Sequence, residues 1–116
     1  MKVQSHTNLT AKVLDLANAV IELESDFEKS ISTKLLCKTS GMQIMLIALD
    51  AQAELKKHIS PGPISVQVLK GSISFRTDET VHDLACGQLL TLEGKLPHSV
   101  YANERSIFLV IKSIPE

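Results

Sequence analysis

The sequence predicts a small, mainly-β barrel or sandwich preceded by a helical extension, and three observations carry that prediction. Hydrophobic periodicity is helical only near the N-terminus and changes from Ile31 onward. Some eight short apolar runs then follow at about ten-residue spacing, each closed by turn residues, as in antiparallel sheets packed face to face. A chain of 116 residues has room for one core but not two.

In NLTAKVLDLANAVIELES the apolar residues Leu9, Val13, Leu16, Val20 and Leu23 recur at steps of four, three, four and three. That stripe predicts an amphipathic helix over residues 8–23, capped by Asn8. The acidic ELESDFEKS that follows reads as a solvated connection, because nothing apolar surrounds its carboxylates to raise a pKa. Residues 1–30 therefore form an N-terminal extension and residues 31–116 the barrel domain. ISTKLLCKT and MQIMLIALD, parted by Ser40-Gly41, predict two strands and a tight turn. Pro61 and Pro63 in SPGP belong in a bend or on an edge. ISVQVLK, Gly71 and SISFR predict a hairpin, and VHDL, QLLTL, HSVYA and IFLVIKSI supply the remaining strands. Gly94 in EGKLP gives that loop room for a positive φ.

Composition excludes several classes of function. Hydrophobic residues make up 44% and charged residues 22%, and 12 basic against 13 acidic residues leave a net charge of −1. There is no basic cluster to hold phosphates, and only Phe27, Phe75, Tyr101 and Phe108 could stack on bases, so no nucleic-acid partner is expected. No apolar run reaches the roughly 18 residues that a membrane helix needs. MKVQSHTNLT also lacks the apolar core of a signal peptide, so the expectation is a cytoplasmic protein with no membrane partner. Cys37 and Cys86 form no C-x-x-C pattern and are expected as small buried thiols rather than a disulfide.

Two histidine-bearing stretches complete the pattern. LKKHISPGPISVQVLKGSISF holds His58, and GQLLTLEGKLPHSV holds His98 forty residues later. From about Met42 to Ile114 the chain resembles the small single-domain cupins of the RmlC-like superfamily. Their first motif is G-x5-H-x-H-x3/4-E-x6-G. Here His58 stands at its first histidine, Ser60 at the second, Ile64 at the glutamate and Gly71 at the closing glycine. The second motif is G-x5-P-x-G-x2-H-x3-N. Gly87 opens it, Glu93 replaces the proline, Lys95 the glycine, His98 falls on the histidine and Ala102 replaces the asparagine. With its framing glycines and LPHSV ending, the chain resembles an uncharacterised bacterial type whose metal motifs are degenerate. The resemblance implies a double-stranded β-helix, or jelly-roll, barrel. It also implies a homodimer, in which an amphipathic N-terminal stripe is covered by its own barrel or by a partner's.

A cupin metal is held by three histidines and one glutamate. Of that set only His58 and His98 remain as candidate ligands for a divalent ion such as Zn, Fe, Mn or Ni, where three protein donors are usual. Gln67, His82 and Asp83 are other donors in nearby strands, none at a motif position. Period-two alternation places Ser60 on the side of His58, and Val100 and Ala102 on the side of His98. The implied pocket is lined by Ser60, Ile64, Val100 and Ala102, with His58, Ser60 and His98 as its polar contacts. Ser60 is not read as a nucleophile, since neither an orienting acid nor an oxyanion hole is legible. The first expectation is therefore a module that binds or senses a small, largely apolar molecule in a metal-depleted pocket. A dioxygenase- or isomerase-like metal enzyme and an interaction homodimer with a vestigial pocket are the alternatives. Fold analogy does not choose among them, because one barrel hosts many unrelated activities.

Overall fold

The computed structural model describes residues 11–27 and 30–115. A helix, α1 (Leu16–Ser25), is followed by β1 (Ile31–Lys38), β2 (Met42–Leu49), β3 (Glu54–His58), β4 (Ile64–Lys70) and β5 (Ser72–Thr77). Then come β6 (Val81–Ala85), β7 (Leu89–Leu92), β8 (His98–Ala102) and β9 (Ser106–Ser113). The strands form two antiparallel sheets, ordered β1-β2-β9-β4-β7 and β3-β8-β5-β6. Strand alternation turns Val66 and Val68 of β4, Phe108 and Val110 of β9, and Ile73 and Phe75 of β5 into one core between the sheets. This is the jelly-roll barrel the sequence predicts.

Four details differ from the sequence reading. The additional strand is β3, whose ELKKH carries no apolar alternation. It is the outer strand of its sheet, and lysines on an exposed edge discourage pairing with another chain. Second, β4 and β5 are not a hairpin. They lie in different sheets, and Gly71 (φ +83°) is the point where the chain crosses between them. Third, the positive φ in the EGKLP loop falls on Lys95 (67°) rather than on Gly94. Gly94 is needed for close approach instead, since a Cβ there would lie 2.8 Å from the Gly62 Cα and the Pro61 carbonyl oxygen. Fourth, Cys86 is exposed and Cys37 half-buried, both as free thiols; the Cys86 thiol donates to the Leu69 carbonyl (3.1 Å).

The helix begins later and ends later than its stripe suggests. Asp15 is the cap, its side chain accepting from the Asn18 amide at 3.1 Å, and Asn8 lies outside the described residues. At the other end Glu24 and Ser25 belong to the helix rather than to a loop. Glu22 pairs with Lys34 at 3.1 Å and Glu24 with Lys70 at 2.8 Å, which ties the helix to the barrel. Ala19 and Leu23 pack against Leu46, Ala48, Ile107 and Leu109, so α1 covers the outer face of the larger sheet. Residues 46–49 of β2 and 106–110 of β9 are thereby buried on both faces. No described helix is long and apolar enough to cross a membrane.

Candidate functional site

The two histidines meet at one mouth of the barrel because of a β-bulge. In the β3–β8 ladder Leu55 lies opposite Val100 and His58 opposite His98, so β3 holds one more residue than β8 between these pairs. Strict alternation would turn Lys57 toward the core with Leu55 and send His58 outward. The extra residue reverses the phase, and Leu55 and His58 both face inward. Their ring centroids bring His58 and His98 to 4.3 Å, edge to face.

Each ring is held in the same way. His58 Nδ1 lies 2.8 Å from the Lys56 carbonyl and His98 Nδ1 2.9 Å from the Leu96 carbonyl. A carbonyl oxygen only accepts, so both rings carry their proton on Nδ1. When neutral, each therefore presents a bare Nε2 lone pair. Phe75 stacks on the other side of His98, with centroids 5.3 Å apart and planes 13° from parallel. Burial lowers the His98 pKa from 6.5. The hydrogen bond to Leu96 works against that shift, while the charges of His58 and Lys112 reinforce it.

The histidines line a cavity of about 50 Å³ together with Ser60, Ile64, Val100, Phe75 and Lys112. Of the four residues expected to line a pocket, Ser60, Ile64 and Val100 line this cavity and Ala102 does not. It sits opposite Ile73, fully buried in the core, two residues beyond Val100 and away from the cavity wall. Gln67 turns outward and donates to the Gly87 carbonyl (3.3 Å), and Asp83 accepts from the Ser74 hydroxyl (2.6 Å). His82, opposite Phe75 at the edge of its sheet, lies outside the cavity lining. Lys112 is the residue that sequence reasoning missed. On β9 it follows Phe108 and Val110 at period two and lies opposite Ile64, which brings it to the same mouth.

No family model matches the sequence, and a search of curated proteins found no significant relative. Solved structures do match. A conserved protein of unknown function from Streptococcus pyogenes superposes with a TM-score of 0.74 at 28% identity, covering 92% of this chain and 90% of that one. A cupin superfamily protein from Desulfitobacterium hafniense gives 0.73 at 19% identity, over 77% of this chain and 82% of that one. An RmlC-like cupin from Desulfovibrio desulfuricans gives 0.67 at 23% identity, over 97% of each chain. The chain has the fold of a small cupin.

Where metal-holding cupins place three histidines and a glutamate, this chain brings together two imidazoles, a hydroxyl and an ammonium group. Among the described residues no cluster of three or more His, Cys, Asp and Glu side chains could hold a metal ion. No carboxylate lines the cavity to offset a divalent charge, and Lys112 adds a positive one. The donor set of the cavity does not fit a resident divalent metal.

Proposed function

We propose that this small cupin is a small-molecule binding or sensing module whose pocket works without a metal. The observation that carries the reading is Lys112, a cation built into the wall of the cavity that the two histidines share. The apolar surfaces of Ile64, Phe75 and Val100 supply the walls for a small aliphatic group, and His58, Ser60, His98 and Lys112 are the polar groups of the same lining. One observation favours the metal-dependent reading: both histidines anchor Nδ1 on a carbonyl and free Nε2, as metal-ligating histidines do.

Metal analysis by plasma mass spectrometry separates the two. Protein expressed with Mn, Fe, Co, Ni and Zn supplied is expected to carry far less than one equivalent of any of them. Close to one equivalent, lost in both His58→Ala and His98→Ala, would replace the binding module with a metal-dependent enzyme.

A second copy of the chain is the proposed partner. Ile31, Thr33 and Leu35 of β1 share the core-facing side with Leu49, Ile47 and Met45, yet Leu35 is 55% exposed at the edge of the larger sheet. Light scattering after gel filtration is expected to give a dimer mass that Leu35→Lys converts to a monomer. A monomeric wild type would discard the dimer and leave the pocket reading untouched.

A further inference from the structure

Of the four polar side chains that line the cavity, two are buried without a partner for their free polar atom. Ser60 is only 6% exposed and His98 only 3%, and both line the cavity. Among the described residues, neither the Ser60 hydroxyl nor His98 Nε2 makes a hydrogen bond; the ring is held through Nδ1 alone. Lys112 is half-buried and makes no ion pair among the described residues, whose salt bridges join Lys34, Lys57 and Lys70 to carboxylates elsewhere. Buried polar atoms are nearly always hydrogen-bonded, and leaving one unpaired costs about 1–3 kcal/mol. Two such groups, with the half-buried Lys112 ammonium in the same lining, describe what the cavity would bind.

The demands of the three groups differ. The Lys112 ammonium donates and calls for an anionic oxygen. Nε2 of His98 can only accept, because the Leu96 carbonyl fixes the proton on the other nitrogen, so the ligand must bring an O–H or N–H to it. The Ser60 hydroxyl both donates and accepts and can bridge the two. A simple carboxylate would satisfy Lys112 and leave Nε2 facing an acceptor. A simple alcohol would satisfy Nε2 and leave the ammonium unpaired. The size of the cavity, about 50 Å³, limits the remainder to a short aliphatic chain.

Resting on the binding reading above, we infer that the ligand is a short-chain hydroxycarboxylate. Its carboxylate pairs with Lys112, its hydroxyl donates to His98 Nε2, and its alkyl part lies against Ile64 and Val100. The ammonium thereby takes the place of the metal charge that a carboxylate-binding cupin would otherwise need.

The test is calorimetric titration at pH 7.5 with 2-hydroxypropanoate, propanoate, which lacks the hydroxyl, and 1,2-propanediol, which lacks the carboxylate. The hydroxy acid is expected to bind about tenfold or more tightly than either analogue, since each leaves one of the cavity's polar groups without its partner. Lys112→Met is expected to weaken it by a similar factor, in a variant whose amide spectrum shows the fold intact. Propanoate binding as tightly as the hydroxy acid would overturn the role of Nε2, and equal binding of the diol would overturn the role of Lys112. If none of the three binds, a fragment screen read on the Ile64 and Val100 methyl signals separates the two readings. Fragments that shift those signals would overturn the hydroxycarboxylate class and keep the binding module. An unresponsive pocket would remove both.

Discussion

Gly71→Ala is expected to destabilise the protein by about 2–6 kcal/mol, from backbone strain and overpacking of about 1–3 kcal/mol each. Gly71 sits at φ +83°, where an L side chain is strained whatever the space around it. There is also no space. A Cβ would meet the Ser106 hydroxyl oxygen first, with the Arg105 carbonyl oxygen at 2.5 Å and the Ser106 Cα at 2.8 Å. Ser106 cannot easily give way, because it is fully buried and its hydroxyl is engaged on two sides. That hydroxyl accepts from the Ser72 amide (3.0 Å) and donates to the Glu104 carbonyl (2.7 Å), holding the start of β5 against β9. The same crossover aims β4, with Ile64, and β5, with Phe75, at opposite walls of the cavity. Urea denaturation followed by circular dichroism measures the loss, and a change below about 0.5 kcal/mol, the scale of an ordinary surface substitution, would show that the crossover re-forms without strain.

How far the sequence discloses this site depends on where alternation has a phase. The strands of the motif regions are legible because turn residues bound them and because His58, Gly71, Gly87 and His98 keep cupin spacing. Lys112 is not legible, and the reason is local. In SIFLVIKS every residue from Ile107 to Ile111 is apolar, since one face packs on α1 through Ile107 and Leu109 and the other on the barrel core through Phe108 and Val110. A strand buried on both sides carries no period-two signal, so the direction of its next residue cannot be read. β3 hides its geometry differently. ELKKH is mostly polar, and its single bulge reverses which residues face inward, a change that leaves no mark on composition. At the helix, the stripe from Leu9 to Leu23 fits a longer element than the observed one. Asp15 interrupts it as a cap, because its short side chain competes for the Asn18 amide that a continuous helix would leave to the backbone.

The missing carboxylate and the added lysine are best understood together. Metal motifs in this fold concentrate positive charge from the ion and negative charge from a glutamate in one apolar space. Here Ile64 takes the place of the glutamate, and across the ladder from it stands Lys112. The anion has left the protein side of the site and a fixed cation has joined it. On the reading proposed above, a lining that holds a cation and no carboxylate suits recognition of an anion rather than coordination of a metal.

Phe75→Ala is expected to cost about 3–5 kcal/mol, the range for deleting a buried aromatic ring, and to alter the titration of His98 at the same time. Phe75 is 1% exposed, belongs to the core between the sheets and forms one wall of the cavity, stacked on His98. Removing its ring enlarges a cavity that already opens on an imidazole, and water can follow the polar atom inward. Burial is the main reason the native His98 pKa lies below 6.5, so rehydration should raise it toward that value. The sign for stability follows from linkage. Because the folded protein binds this proton less readily than the unfolded chain, the stabilising contribution is present above pH 6.5. It declines as pH falls below 6.5 and is lost once pH passes below the lowered native pKa. Wild type should therefore lose more stability between pH 7.5 and pH 5 than His98→Gln does, and Phe75→Leu, which keeps more of the core, should lose less than wild type. Urea melts at both pH values, with the His98 ring proton followed by NMR, make the comparison. An unchanged His98 titration in Phe75→Leu would mean that the charges of Lys112 and His58, rather than the dry wall built by Phe75, keep the imidazole neutral.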